Sequence, residues 1–166
     1  MNAPAEQRKS PIDAARLAQA NINPATGLAT DYLNRFNEAI MLLEMLSACP
    51  DCIEDFLAWK PATYREHFAT SQFKDRALAI EAYEAAEPAV RHCIDTLADT
   101  MTAVLEATRT TLRANLPAET AALLATQSAA SLKPLIAQAG AVINGDTTTS
   151  ELGAVPQSAV DQLMKR

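Results

Sequence analysis

The chain has 166 residues, of which 49% are hydrophobic and 20% charged, and its formal net charge is -6. This length and composition favour one globular domain with a hydrophobic core and exclude a chain too polar or too repetitive to fold. The negative charge argues against a nucleic-acid partner, because such proteins need a basic surface to neutralise phosphates.

Two further absences in the sequence narrow the expected function. With 4 glycines, the sequence has no glycine-rich loop of the kind that binds nucleotides. It also contains no apolar run near the roughly 20 residues that span a bilayer, and its first residues lack the apolar core of a signal peptide. We therefore expect no transmembrane segment and a cytoplasmic location. An odd number of cysteines, 3, fits a reducing compartment.

The first helices are predicted from turn formers and apolar spacing. Residues 1–30 should form a short helix beginning near Pro11 and then a loop. The main domain, 31–145, starts with a helix over about residues 31–48 that has an apolar stripe at i, i+3, i+4 spacing. The stripe comprises Tyr32, Leu33, Phe36, Ala39, Ile40, Leu43 and Leu46. Because Met41, Leu42 and Met45 fall on the other side, this helix is predicted to be apolar on two faces.

Aromatic residues are concentrated in the next part of the chain. Pro50 ends the first helix, and a second helix is predicted over about residues 51–59. The segment 60–63 breaks it, and His67 is expected in a surface loop. A further helix is predicted over about residues 72–86. Together with Met41, Leu42 and Met45, three of these aromatics form the predicted interaction surface: Phe56, Trp59 and Phe68.

The C-terminal half predicts two long helical segments. One runs from Pro88 to about Asn115, with a heptad-like apolar seam and an outer charged face that includes Arg109. The other runs from Pro117 to Gly145, and Pro134 should kink or split it. Residues 146–166 are predicted to be a loop and a tail, with a short helix over Ala159–Met164. The predicted fold is therefore all-α, an irregular antiparallel helical bundle with one long central helix.

The strongest chemical motif is the pair Cys49 and Cys52, whose spacing occurs in redox and metal sites. A zinc site needs about four ligands, and Cys93 and His92 are the other candidates. These two lie about 100° apart around one helix, so a single helix does not easily direct both at one ion. The alternative is that the cysteines are small, partly buried apolar residues at a helix junction.

No catalytic set is visible around His67, and the Glu-x-x-His motif of di-iron bundles does not occur. We predict no cofactor and, on balance, no enzymatic activity. The first function hypothesis is a non-enzymatic interaction or regulatory module that self-associates or binds a protein partner. The second hypothesis is a small metal-binding or thiol-redox sensor that uses Cys49 and Cys52.

Overall fold

The computed structural model describes residues 11–146, and within this range it contains seven α-helices, two 3₁₀ turns and no strand. The helices in chain order are α1 (Ala14–Gln19), α2 (Asn34–Met45), α3 (Ile53–Ala58), α4 (Tyr64–Thr70), α5 (Arg76–Ala85), α6 (Pro88–Leu112) and α7 (Ala118–Asn144). The 3₁₀ turns Thr30–Leu33 and Pro50–Cys52 lead directly into α2 and α3. The prediction of an all-α bundle with one long central helix is confirmed.

The start of one helix and the presence of another differ from the predictions, and side-chain capping bears on both. Helix α1 begins at Ala14 rather than near Pro11, because the Asp13 carboxylate accepts a hydrogen bond from the Ala15 backbone at 3.1 Å. Helix α4 was not predicted at all, although Thr63 and Glu66 form a capping box at its start. The predicted tail beyond residue 146, with its helix over Ala159–Met164, lies outside the described residues.

Helix α7 runs antiparallel to α6, to which it is joined by a short connection. The hydroxyls of Thr108 and Ser128 are 2.8 Å apart in the buried interface between the two helices. Since the Thr108 hydroxyl already donates to the Val104 carbonyl at 2.8 Å, the Ser128 hydroxyl donates to Thr108. Both buried hydroxyls are thereby satisfied, which removes most of the cost of placing them in an apolar interface.

The same helix α7 also runs antiparallel to α2. Lys133 of α7 forms an ion pair with Glu44, near the end of α2, and Gly140 lies beside Leu33, just before the start of α2. Later residues of α7 therefore contact earlier residues of α2. Small side chains make this double contact possible, because they let two neighbouring helices approach α7 closely. Those buried in α7 are Ala125, Ser128, Ala129 and Ala139.

Pro134 does not split α7, which is continuous from Ala118 to Asn144. Of the two predicted outcomes at this position, a kink or a split, the split is therefore wrong. Pro134 and Ala130 are both exposed. The Ala130 carbonyl, which loses its helical donor at Pro134, lies on the side of the helix where water replaces that hydrogen bond.

The segment 11–30 shares the core of the rest of the bundle. Leu17, Ile22 and Leu28 are buried within the same hydrophobic cluster as the helices that follow. The Thr26 hydroxyl donates to the Ile143 carbonyl at 2.6 Å, so the segment is also held at the C-terminal end of α7. These contacts make residues 11–30 an integral part of the packing.

Two glycines with left-handed backbones provide a matched test of this packing. Gly27 has φ 73° and Gly145 has φ 75°, so alanine strains the backbone at both positions. A Cβ on Gly27 would lie 2.8 Å from the Ala82 carbonyl oxygen, whereas the nearest atom to a Cβ on Gly145 is 3.5 Å away. We predict that Gly145→Ala lowers the free energy of unfolding by about 1 kcal/mol and Gly27→Ala by about 2–4 kcal/mol. Urea unfolding measures both, and equal losses would contradict the close approach of Gly27 to α5.

Candidate functional site

The predicted interaction surface is divided between the outside and the inside of the bundle. Met41 is 51% exposed and Met45 42%, one helical turn apart on the side of α2 that faces away from the core. Leu42 is partly buried and packs against the core cluster. We call Met41 and Met45 the methionine face. Apart from Leu123 on α7, they are the exposed large hydrophobic residues within 11–146.

The aromatic half of the predicted surface is in the core. Phe56, Trp59 and Phe68 are all buried, so they are not available to a partner. Trp59 packs against Phe36 with ring centroids 6.3 Å apart, and Phe68 packs against Tyr64 at 4.7 Å. This corrects the prediction, because α3 packs against α2 while α4 packs against α5 and the turn Thr30–Leu33, so their aromatics fill the space between these elements.

Polar groups around Trp59 fix this aromatic core. The indole Nε1 donates to the Arg35 carbonyl at 3.0 Å, and the Trp59 carbonyl accepts from the Arg109 guanidinium. The guanidinium lies 5.8 Å from the centre of the Trp59 ring and also pairs with Glu106 at 2.9 Å. Arg109 is buried, although its heptad position predicted the solvent-facing side. The end of α3 covers that part of α6, which the spacing within α6 does not reveal.

His67 is likewise buried and helical, not in a surface loop as predicted. The Arg35 Nε donates to His67 Nδ1 at 3.4 Å, so the ring proton is on Nε2, which donates to Asp31 at 2.9 Å. Both ring nitrogens are therefore engaged in joining α4 to the start of α2. The capping box at Thr63 and Glu66 was the sequence signal that could have placed His67 in a helix.

The candidate metal ligands do not come together in one chain. Cys93 is buried near the start of α6, and His92 beside it is exposed. Residues next to Cys49 and Cys52 line a small cavity with Leu116 and Ala118, just beyond the other end of α6. From Cys93 to Leu112 the helix rises about 28 Å. Within residues 11–146, no three His, Cys, Asp or Glu side chains are grouped to hold a metal ion.

Cys49 and Cys52 themselves are adjacent. Both are free and partly buried, at the junction between α2 and α3. A hydrogen bond between the two thiols is the main reason that the pKa of Cys52 rises to about 11, with burial as the next cause. Cys52 is therefore protonated at neutral pH.

An acidic recess, which the sequence did not suggest, lies between the start of α4 and the middle of α6. Its volume is about 520 Å³, and its lining contains three carboxylates, those of Glu66, Asp95 and Asp99, and one guanidinium, that of Arg65. The Tyr83 hydroxyl donates to Asp95 at 2.7 Å, and burial together with this carboxylate raises the pKa of Tyr83 to about 12. The excess of negative charge disfavours anionic ligands.

Comparison of the chain with protein-family models, with curated proteins and with solved structures found no match. None of the helices within residues 11–146 combines the length and apolar character needed to cross a membrane.

Paired substitutions test the division of the predicted interaction surface. We predict that Phe68→Ala lowers the free energy of unfolding by about 3–5 kcal/mol, because it leaves a cavity among the core aromatics. Met41→Ala should change it by no more than about 0.5 kcal/mol, since the side chain is largely in water. Chemical denaturation of the two variants checks this, and a large loss in Met41→Ala would show that the methionine is covered in the monomer.

Proposed function

We propose that this chain is a non-enzymatic helical interaction module that self-associates through the methionine face of α2. The observation that supports the proposal is the exposure of Met41 and Met45 one turn apart, on a helix whose opposite side is completely buried. A surface helix of a monomer places charged or polar residues at such positions. Exposed apolar residues that stand together mark contact sites more often than isolated ones do.

Methionine suits a contact surface of this kind. Its unbranched, polarizable side chain adapts to the shape of the opposing surface, so a two-residue patch can pack well without a preformed pocket. Leu42, which follows Met41, is partly buried and packs against the core cluster. Helix α2 is itself held in the bundle by its buried side, so little order has to be gained on binding.

A second copy of the chain is the occupant that we propose. In a two-fold antiparallel pairing of α2 with itself, Met41 of one copy lies against Met45 of the other, and each contact occurs twice. Glu38 then lies near Ala48 of the other copy, and the two Glu38 side chains are separated by about 15 Å along the axis. A parallel pairing would place the two Glu38 carboxylates opposite each other, which is unfavourable.

The remaining charge on α2 also fits this arrangement. Glu44, the other acidic residue of the helix, already pairs with Lys133 of the same chain. Since α2 has only 12 residues, the helix pair buries a modest area, and we expect a reversible dimer with a micromolar dissociation constant.

We further propose a cytoplasmic location and no nucleic-acid partner. The odd number of cysteines, 3, supports the first proposal, because free thiols persist in a reducing compartment. The net charge of -6 supports the second, since it repels phosphates.

The experiment is sedimentation equilibrium of wild type and Met45→Glu over a wide concentration range. The introduced carboxylate would be buried against Met41 of the other copy, so we predict that the dissociation constant rises at least about tenfold, or about 1.4 kcal/mol. Leu123→Glu is the matched control, because Leu123 is an equally apolar residue, 59% exposed, on α7. This control should dimerise like wild type, and circular dichroism should show that all three proteins are equally helical.

Two results would overturn the proposal. One is a wild-type protein that remains monomeric at the highest concentration. The other is a Met45→Glu variant that dimerises as tightly as wild type. If Leu123→Glu alone dissociates the dimer, the contact surface lies on α7 instead of α2.

A further inference from the structure

We propose that Cys49 and Cys52 are a reversible redox modification site, at which exchange with a low-molecular-weight disulfide such as glutathione disulfide forms an intramolecular disulfide. This proposal is independent of self-association, because it concerns the junction after α2 and needs no second copy.

The backbone brings the two cysteines to the required separation. The Cys52 backbone N–H donates to the Cys49 carbonyl at 3.0 Å, which closes the 3₁₀ turn Pro50–Cys52. Such a turn places the first and fourth Cα atoms less than about 7 Å apart, and disulfides join Cα atoms about 4.4–6.8 Å apart. Pro50 fixes its own φ inside the turn and limits the alternatives open to the segment.

The side chains complete the geometry. Interaction with the Cys49 side chain is the main cause of the raised pKa of Cys52, which agrees with two thiols that lie close together across the turn. Both residues are only partly buried, which leaves them accessible to a small disulfide. Cys93 is buried near the start of α6, the end of that helix that lies away from the cysteine pair. It therefore neither competes with the pair nor reacts in the folded chain.

The protonation of the pair indicates the order of the steps. Because Cys52 holds its proton more tightly than an ordinary thiol, Cys49 is the first nucleophile. The Cys49 thiolate attacks glutathione disulfide, the S–S bond breaks, and one glutathione thiolate leaves. Cys52 then loses its proton and attacks the Cys49 sulfur, which expels the second glutathione.

The exchange balances without any further reactant. The protein loses two S–H bonds and gains one S–S bond, and the two protons end on the two departing glutathione molecules. The protein is oxidised and one glutathione disulfide is reduced to two molecules of glutathione.

The test is a redox titration of the folded wild-type protein in mixtures of glutathione and glutathione disulfide. The samples are quenched with acid, denatured and labelled with maleimide, and mass spectrometry then counts the labels. We expect oxidised protein to carry a single label, on Cys93, and reduced protein to carry three. Cys93→Ala should form the same disulfide and carry no label when oxidised.

Two comparisons test the contribution of the folded turn to disulfide formation and the order in which the two cysteines react. The same titration in urea should give an equilibrium constant for disulfide formation at least about tenfold lower, because the turn no longer holds the sulfurs together. Cys52→Ser should accumulate a glutathione adduct on Cys49, and Cys49→Ser should accumulate about tenfold less on Cys52.

The proposal would be overturned by three labels on the folded protein even in excess glutathione disulfide, or by a disulfide that links two chains instead of Cys49 and Cys52. Equal equilibrium constants for disulfide formation in the folded and the urea-unfolded protein would also overturn it. Equal adduct formation by the two serine variants would overturn the assigned order of attack.

Discussion

The bundle depends on the close approach of α7 to two other helices. Its buried residues are mostly alanine and serine, so α6 and α2 both pack against it at short range. Larger residues at these positions would separate the helices and leave Thr108 and Ser128 without each other. Because α7 occupies the inner side of α2, the opposite side of α2 faces water. The exposure of Met41 and Met45 is thus a consequence of how α7 packs.

A polar network holds the aromatic segment against these helices. The Trp59 carbonyl accepts a hydrogen bond from the Arg109 guanidinium, and the Trp59 indole donates to the Arg35 carbonyl. The His67 ring is hydrogen-bonded to both Arg35 and Asp31. Buried polar groups stabilise a fold only when they are paired, and these contacts also fix the orientation of α3 and α4. Phe56 and Phe68 are buried in the same segment, so no partner can reach them.

Two of the three features with chemical or binding potential adjoin each other, and the third lies apart. The methionine face lies on the outer side of α2, and the cysteine pair lies at the junction that follows it. The acidic recess lies elsewhere, between α4 and α6. Cys49 donates its backbone N–H to the Met45 carbonyl at 2.8 Å, so the junction and the methionine face share the last turn of α2. A change in the cysteine pair therefore acts directly beside the proposed contact surface.

Hydrophobic spacing alone determined the all-α class, the long helix α6 and the second apolar side of α2, because helical periodicity is a local property of the chain. The sequence also identified the Cys49–Cys52 pair, since its spacing is local too. It could not place Arg109, His67 or Phe68, whose burial depends on which helix end lies across them. The predicted split at Pro134 was wrong, because the cost of a lost backbone hydrogen bond depends on whether water reaches the carbonyl, and that depends on the neighbouring helices. Only tertiary packing decides which of two apolar helix faces is covered, since the choice is made by the neighbouring helices and not by the helix itself.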